Sequence, residues 1–136
     1  MSADAHLLAV TAGLLRQGRA LHLTAVGTTV ATVATTSGPA GGLVAAAALL
    51  AVAVETWAAL RVGLDAELFG RLADDARDGR LDWLAFDDGL VRAGLIPTPT
   101  GRPAEARVAG AMRWLRIQGA LVALLVGLAL LGLLTG

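Results

Sequence analysis

The chain has 136 residues, 56% of them hydrophobic and only 16% charged, with a formal net charge of zero. Zero net charge excludes a global field that would gather nucleic acid, and the lack of cysteine excludes disulfides, thiolate metal sites and cysteine nucleophiles. The charge deficit is concentrated: residues 20–54 and 117–136 contain no Asp, Glu, Lys or Arg. Such stretches leave a water-soluble fold nothing to cover its surface with, and a bilayer is their natural solvent.

In chain order, residues 6–15 (HLLAVTAGLL) are apolar but too short to cross a bilayer, and Arg16, Gln17 and Arg19 follow them. Residues 5–18 therefore either extend the first helix or lie flat in the membrane interface. No small-x-small cleavage site follows, so they are not read as a cleaved signal peptide.

A first span is expected at about 21–37. Its six threonines make it polar, but a Thr hydroxyl can bond back to its own helix and is then tolerated in lipid. Ser37-Gly38-Pro39-Ala40-Gly41-Gly42 breaks the chain and predicts a tight hairpin. A second span follows at about 43–60, with Glu55 as its one charge.

Residues 61–116 carry nine Arg and nine acids. Leu64, Leu68 and Leu72, with Phe69 beside them, predict one amphipathic helix, and Asp78-Gly79 predicts its end. A second helix is expected from Leu81 to Ala93, stopped by Gly94 and Pro97. The Asp run 74, 75, 78, 82, 87, 88 lacks the spacing of a calcium loop and is expected to be a solvated face paired with Arg71, Arg77 and Arg80. Pro103 suits a helix start, and Ala104 onward is expected to run unbroken into a third span at 117–136.

The predicted fold is thus an all-α integral membrane helical bundle with three transmembrane helices and a cytoplasmic amphipathic helical segment. Its divisions are 1–60, 61–116 and 117–136. Basic residues near span ends favour the cytoplasmic side. That puts the N-terminus and 61–116 inside, the 37–42 turn and the C-terminus outside, and Trp57 and Trp114 in an inner interfacial belt. Every basic residue is Arg, and with abundant Ala and Gly this suggests a GC-rich bacterial genome and hence the bacterial inner membrane.

Glu55 carries the strongest chemical signal, because an ionisable group within a span is costly and is a functional suspect by default. His22 and Gln118 fall near the same inner edge. A polar cluster of His22, Glu55 and Gln118 is therefore expected, serving either as a proton- or cation-handling site or as a hydrogen-bonded staple. Small-residue stripes at Ala47, Ala51 and Ala59, and at Gly119, Ala123 and Gly127, are expected to pack helices. Val54-Glu55 in an Ala-rich span resembles the small multidrug transporters, but the span count and the charged insert at 61–116 depart from that family, and its activity is not carried over.

No Ser–His–Asp arrangement or phosphate-binding loop is present, and no cofactor or metal site is expected. The expected function is that of a non-enzymatic accessory or assembly subunit of a membrane complex, partnered by the lipid bilayer and by copies of itself or a larger assembly, with no nucleic acid. The alternative is a small homo-oligomeric transporter, channel or holin-like pore built around Glu55.

Overall fold

A computed structural model describes residues 3–135. Among them the regular structure is entirely helical: α1 (Ala3–Arg16), α2 (Gly18–Thr35), α3 (Gly38–Arg77), α4 (Trp83–Arg92) and α5 (Ala104–Thr135). Only Gln17 separates α1 from α2, and its backbone stays in the right-handed helical region, so the two form one nearly continuous rod. That rod, α3 and α5 pack side by side, and α4 is a short appendage between the last two.

The hairpin between α2 and α3 is tighter than the sequence suggests. The extended backbone at Thr36 and Ser37 makes the reversal, and α3 starts at Gly38. Gly38 has φ +69°, a left-handed conformation that suits a residue without Cβ. Pro39 lies in the first turn of α3, where its missing N–H would be unpaired in any case.

α3 departs most from expectation. The second span and the first amphipathic helix are a single helix of 40 residues, roughly 60 Å at 1.5 Å per residue. The division expected at 60/61 falls inside it. Arg61 marks a change of surroundings rather than of backbone, since Leu, Ala, Glu and Arg are all good helix formers. α5 likewise runs unbroken from Ala104, as expected.

The buried face of α3 follows a strict rule. Gly41, Val44, Ala48, Ala51, Glu55, Ala58, Val62, Asp65, Phe69 and Leu72 are all buried, at steps alternating between three and four. On α5, Ala104, Ala111, Gln118, Leu125 and Gly132 are buried at every seventh position. This 3.5-residue period keeps one seam facing its neighbours along the whole length, as in a coiled coil. The stripes expected at steps of four are therefore corrected. Ala51 is buried, but Ala47 is exposed and Ala48 packs in its place. Gly119 is half-buried, while Ala123 and Gly127 face outward. Each step of four overshoots a turn by about 40°, so a stripe kept at four drifts off the seam.

The bundle has two halves with opposite logic. Around α1, the C-terminal half of α3, α4 and the start of α5, large side chains point inward: Leu8, Leu15, Val62, Phe69 and Leu72 form the core, with Trp83, Phe86 and Trp114 packed against it. α1 extends the rod of α2 and is built into this core. In the other half the core is Ala25, Ala48, Ala51, Val122 and Leu125, mostly small residues. There the large residues point outward: Leu23, Val30, Leu43, Leu50, Leu60, Leu130 and Leu134 are exposed.

Two helices, α3 and α5, are long and apolar enough to cross a membrane. Only 28% and 22% of their apolar windows are buried within the chain, unlike the core helix of a water-soluble protein. α2 is not apolar enough by the same measure, as it carries Arg19, His22 and its threonines. The hydroxyls of Thr24, Thr29, Thr32, Thr35 and Thr36 each bond to the carbonyl four residues earlier, so the helix itself satisfies them.

Candidate functional site

Three helices meet where the two halves join, and the side chains there are polar. Glu55 on α3 and Gln118 on α5 are both completely buried. The amide nitrogen of Gln118 donates to Glu55 Oε1 at 2.8 Å and to the backbone carbonyl of Gly18 at 2.8 Å. His22 on α2 places Nδ1 2.8 Å from Glu55 Oε2. The tautomer with its proton on Nδ1 donates to the carboxyl group. The structure thus brings together the three residues singled out from the sequence, with Glu55 held from both sides.

Packing fixes this geometry. A Cβ at Gly18 would lie 2.7 Å from Val62 Cγ1 and 2.8 Å from Gln118 Oε1, so only glycine lets α2 start this close to α3 and α5. Both neighbours of the Gln118 nitrogen are acceptors, which fixes the amide's orientation. Its oxygen is left buried with no hydrogen-bond partner among the described residues. An unmet buried acceptor costs about 1–3 kcal/mol, which offsets much of what the two donated bonds supply.

The cluster is sealed on one side and open on the other. Glu55 and Gln118 face packed helix. The His22 side chain is 31% exposed and lines a groove of about 640 Å³ between the α1–α2 rod and α3. Arg16, Arg19 and Glu67 line the same groove. Trp57 is exposed on α3 two residues beyond Glu55, and Trp114 is half-buried against the core.

A second polar site, in the other half, was missed by sequence reasoning. Asp87, read as part of a solvated acidic face, is 1% exposed. It accepts hydrogen bonds from the backbone N–H of Thr100 and of Gly101, both at 2.9 Å, from the Thr100 hydroxyl, and from Arg107 at 2.7 Å. Burial pushes its pKa up, but these donors outweigh that and hold it below the usual carboxylate value. Arg107 in turn lies over the rings of Trp83, at 5.0 Å, and Phe86, at 5.5 Å. One acid thus pins α4, the 97–103 loop and α5 together. Of the rest of the acidic run, Asp74 pairs with Arg77 and Asp75 and Asp78 with Arg80, whereas Asp82 caps α4 by accepting from the backbone N–H of Leu84 and Ala85, and Arg71 forms no ion pair among the described residues. The one sequence signal that could have marked Asp87 is its place among Trp83, Phe86 and Leu90 on an otherwise apolar helix face.

Between α3, α4 and α5 lies a hollow of about 280 Å³ walled by Leu68, Phe69, Phe86, Leu90 and Trp114. Asp65 lines it, with Arg61 3.8 Å away. Burial raises the Asp65 pKa, and Arg61 only partly opposes the rise. Among the described residues no cluster of three or more potential metal-ligating acids, histidines or cysteines occurs.

Comparison with protein-family models, with curated proteins and with solved structures finds no match for this chain. Function is therefore read from the residues and their geometry.

Proposed function

We propose that this chain is a multi-pass membrane protein that crosses a bilayer three times and serves as an accessory or assembly subunit of a membrane complex, not as an enzyme. The observation that carries the membrane reading is the inverted packing of one half of the bundle. Its core is mostly small, Ala25, Ala48 and Ala51 with Val122 and Leu125, while Leu23, Val30, Leu43, Leu50 and Leu130 point outward. Water disfavours that arrangement, whereas lipid tails solvate the outer residues and leave small residues to bring the helices close. From Gly38 to Leu60, α3 spans roughly 34 Å, and from Ile117 to Thr135 α5 spans about 28 Å, each close to the ~30 Å of a hydrocarbon core. α2 is the third span, made compatible with lipid by its internally bonded threonines.

The abundance of Arg in 61–116, with Arg16 and Arg19, orients the N-terminus and α4 toward the cytoplasm and the α2–α3 hairpin and C-terminus outward, in a bacterial inner membrane. The assembly role rests on two features. Glu55 is closed off by its partners, which suits a staple that sets helix register. Ala123 and Gly127 of the small-residue stripe are left uncovered within the chain, which suits close approach of a further helix.

The test is purification in mild detergent from native membranes, with mass spectrometry of co-eluting proteins. A stoichiometric partner is expected. A second reading, a small homo-oligomeric transporter or pore, is favoured by one observation: His22 connects buried Glu55 to an open groove. It requires that reconstituted vesicles show flux and that Glu55→Gln abolish it. The protein moving ions with no partner bound would overturn the assembly role.

A further inference from the structure

The groove beside His22 has the chemistry of a specific headgroup site. It opens where the outward-apolar half of the bundle meets the charged half, and the α1–α2 break at Gln17 lies at its edge. Small residues hollow it out: Gly18, Ala59 and Gly63 line it, and nothing lies within 4 Å of a Cβ built at Gly63. Leu60 and Leu64 form an apolar wall. The charged groups lining it are Arg16 and Arg19 from the α1–α2 rod and Glu67 from α3, and none of the three has an ion pair among the described residues. The Arg16 guanidinium lies across α3 at Gly70, 3.2 Å from where a Cβ there would sit. All three are exposed, so the groove presents charges of both signs to a ligand that carries both.

We propose that this groove binds the headgroup of an aminophospholipid, with its phosphate against Arg16 and Arg19 and its primary ammonium against Glu67. A guanidinium matches phosphate oxygens, and a primary ammonium offers N–H donors to a carboxylate that a trimethylammonium lacks. An anionic headgroup without the ammonium meets Glu67 as a like charge. The acyl chains then run along the outward Leu60 face toward the apolar half. This inference rests on the membrane reading above and adds a partner for that half.

The test uses the full chain, delipidated in detergent and titrated with phosphatidylethanolamine, phosphatidylcholine or phosphatidylglycerol of identical acyl chains, with retained lipid counted by native mass spectrometry. Phosphatidylethanolamine is expected to be retained about fivefold or more over phosphatidylcholine, since one charge-assisted hydrogen bond separates them. Glu67→Gln is expected to erase that preference. Arg16→Gln with Arg19→Gln is expected to lower retention of all three lipids, while Glu105→Gln, a solvent-facing acid on α5, changes nothing. Soluble glycerol phosphate is expected not to compete. Equal retention of the three lipids, a preference for phosphatidylglycerol, an unchanged preference in Glu67→Gln, or competition by glycerol phosphate would each overturn the proposal. Helical content by circular dichroism confirms that each variant is folded. If the chain stays in the aqueous phase without detergent or vesicles, the membrane reading fails and the proposal with it. Insertion without headgroup preference defeats the proposal alone.

Discussion

The Gln118 side chain reaches from α5 to Glu55 on α3, 2.8 Å away, with neither residue exposed. The same amide nitrogen also holds the first carbonyl of α2, at Gly18. A single side chain therefore ties together all three rods of the bundle at the level where its packing inverts. Gln118 lies at the seventh position between Ala111 and Leu125, so the polar tie occupies the seam without interrupting it.

Removing that tie is expected to destabilise the bundle. Gln118→Met keeps most of the volume but leaves Glu55 Oε1 and the Gly18 carbonyl without this donor, at a cost of about 1–3 kcal/mol. The coupling to Glu55, taken from a double-mutant cycle with Glu55→Leu, which removes the acceptor, is expected at about 0.5–2 kcal/mol, the range of hydrogen bonds between membrane helices. Unfolding of the four proteins in mixed detergent micelles measures both. Additive effects would show that the two side chains do not interact.

Glycines divide into two kinds. Gly18→Ala pushes a methyl into Val62 and Gln118, and Gly132→Ala pushes one to 2.8 Å from Thr36 Cγ2. Each is expected to cost about 1–3 kcal/mol by overpacking. Gly27→Ala and Gly127→Ala meet nothing within 4 Å and are expected to be neutral or to stabilise by up to about 1 kcal/mol through helix propensity. Thermal unfolding in detergent ranks the four.

The two buried acids of the charged half predict opposite responses to pH. Asp87 has a lowered pKa, so its stabilising contribution is complete above its unfolded value of 3.8 and is lost as pH falls through the lower folded value. Asp65 has a raised pKa, so its charged form opposes folding at neutral pH, and that penalty is relieved as pH falls through the folded value, above 3.8. Asp87→Asn is expected to cost on the order of 3 kcal/mol at pH 7, with the cost vanishing in strong acid. Asp65→Asn is expected to stabilise at pH 7 and to match the parent near pH 3. Tryptophan fluorescence during denaturation at several pH values checks both.

Arg107→Lys keeps the charge but loses the flat contact with Trp83 and Phe86 and the Nε bond to the Arg102 carbonyl at 2.9 Å. A loss of about 1 kcal/mol is expected, together with a changed near-ultraviolet dichroism from Trp83. An unchanged spectrum would mean the stacking is incidental.

The helical class, the long α5 and the reversal near Ser37 were legible because each follows from local composition: apolar runs, a Pro beside Gly, a lack of charge. The meeting of His22, Glu55 and Gln118 was legible because all three sit at similar distances from charges that mark one end of the apolar stretches. The phase of the packing seam was not. Ala47 and Ala48 are chemically alike, and only the 3.5-residue repeat running from Gly41 to Leu72 separates them. The continuity of α3 past Arg61 was hidden because a change of solvent leaves the helical backbone untouched. Asp87 was hidden because its partners lie 13 to 20 residues away, on a loop and a later helix.

The most direct test of the three-span bundle is sidedness. The chain has no cysteine, so single cysteines at Asp4, Ala40 and Thr98, all exposed, report without background. In oriented membrane vesicles, Asp4→Cys and Thr98→Cys are expected to label from the cytoplasmic face and Ala40→Cys from the opposite face with an impermeant maleimide. Asp4→Cys labelling from the same face as Ala40→Cys would mean that α2 does not cross, and would contradict the three-span bundle.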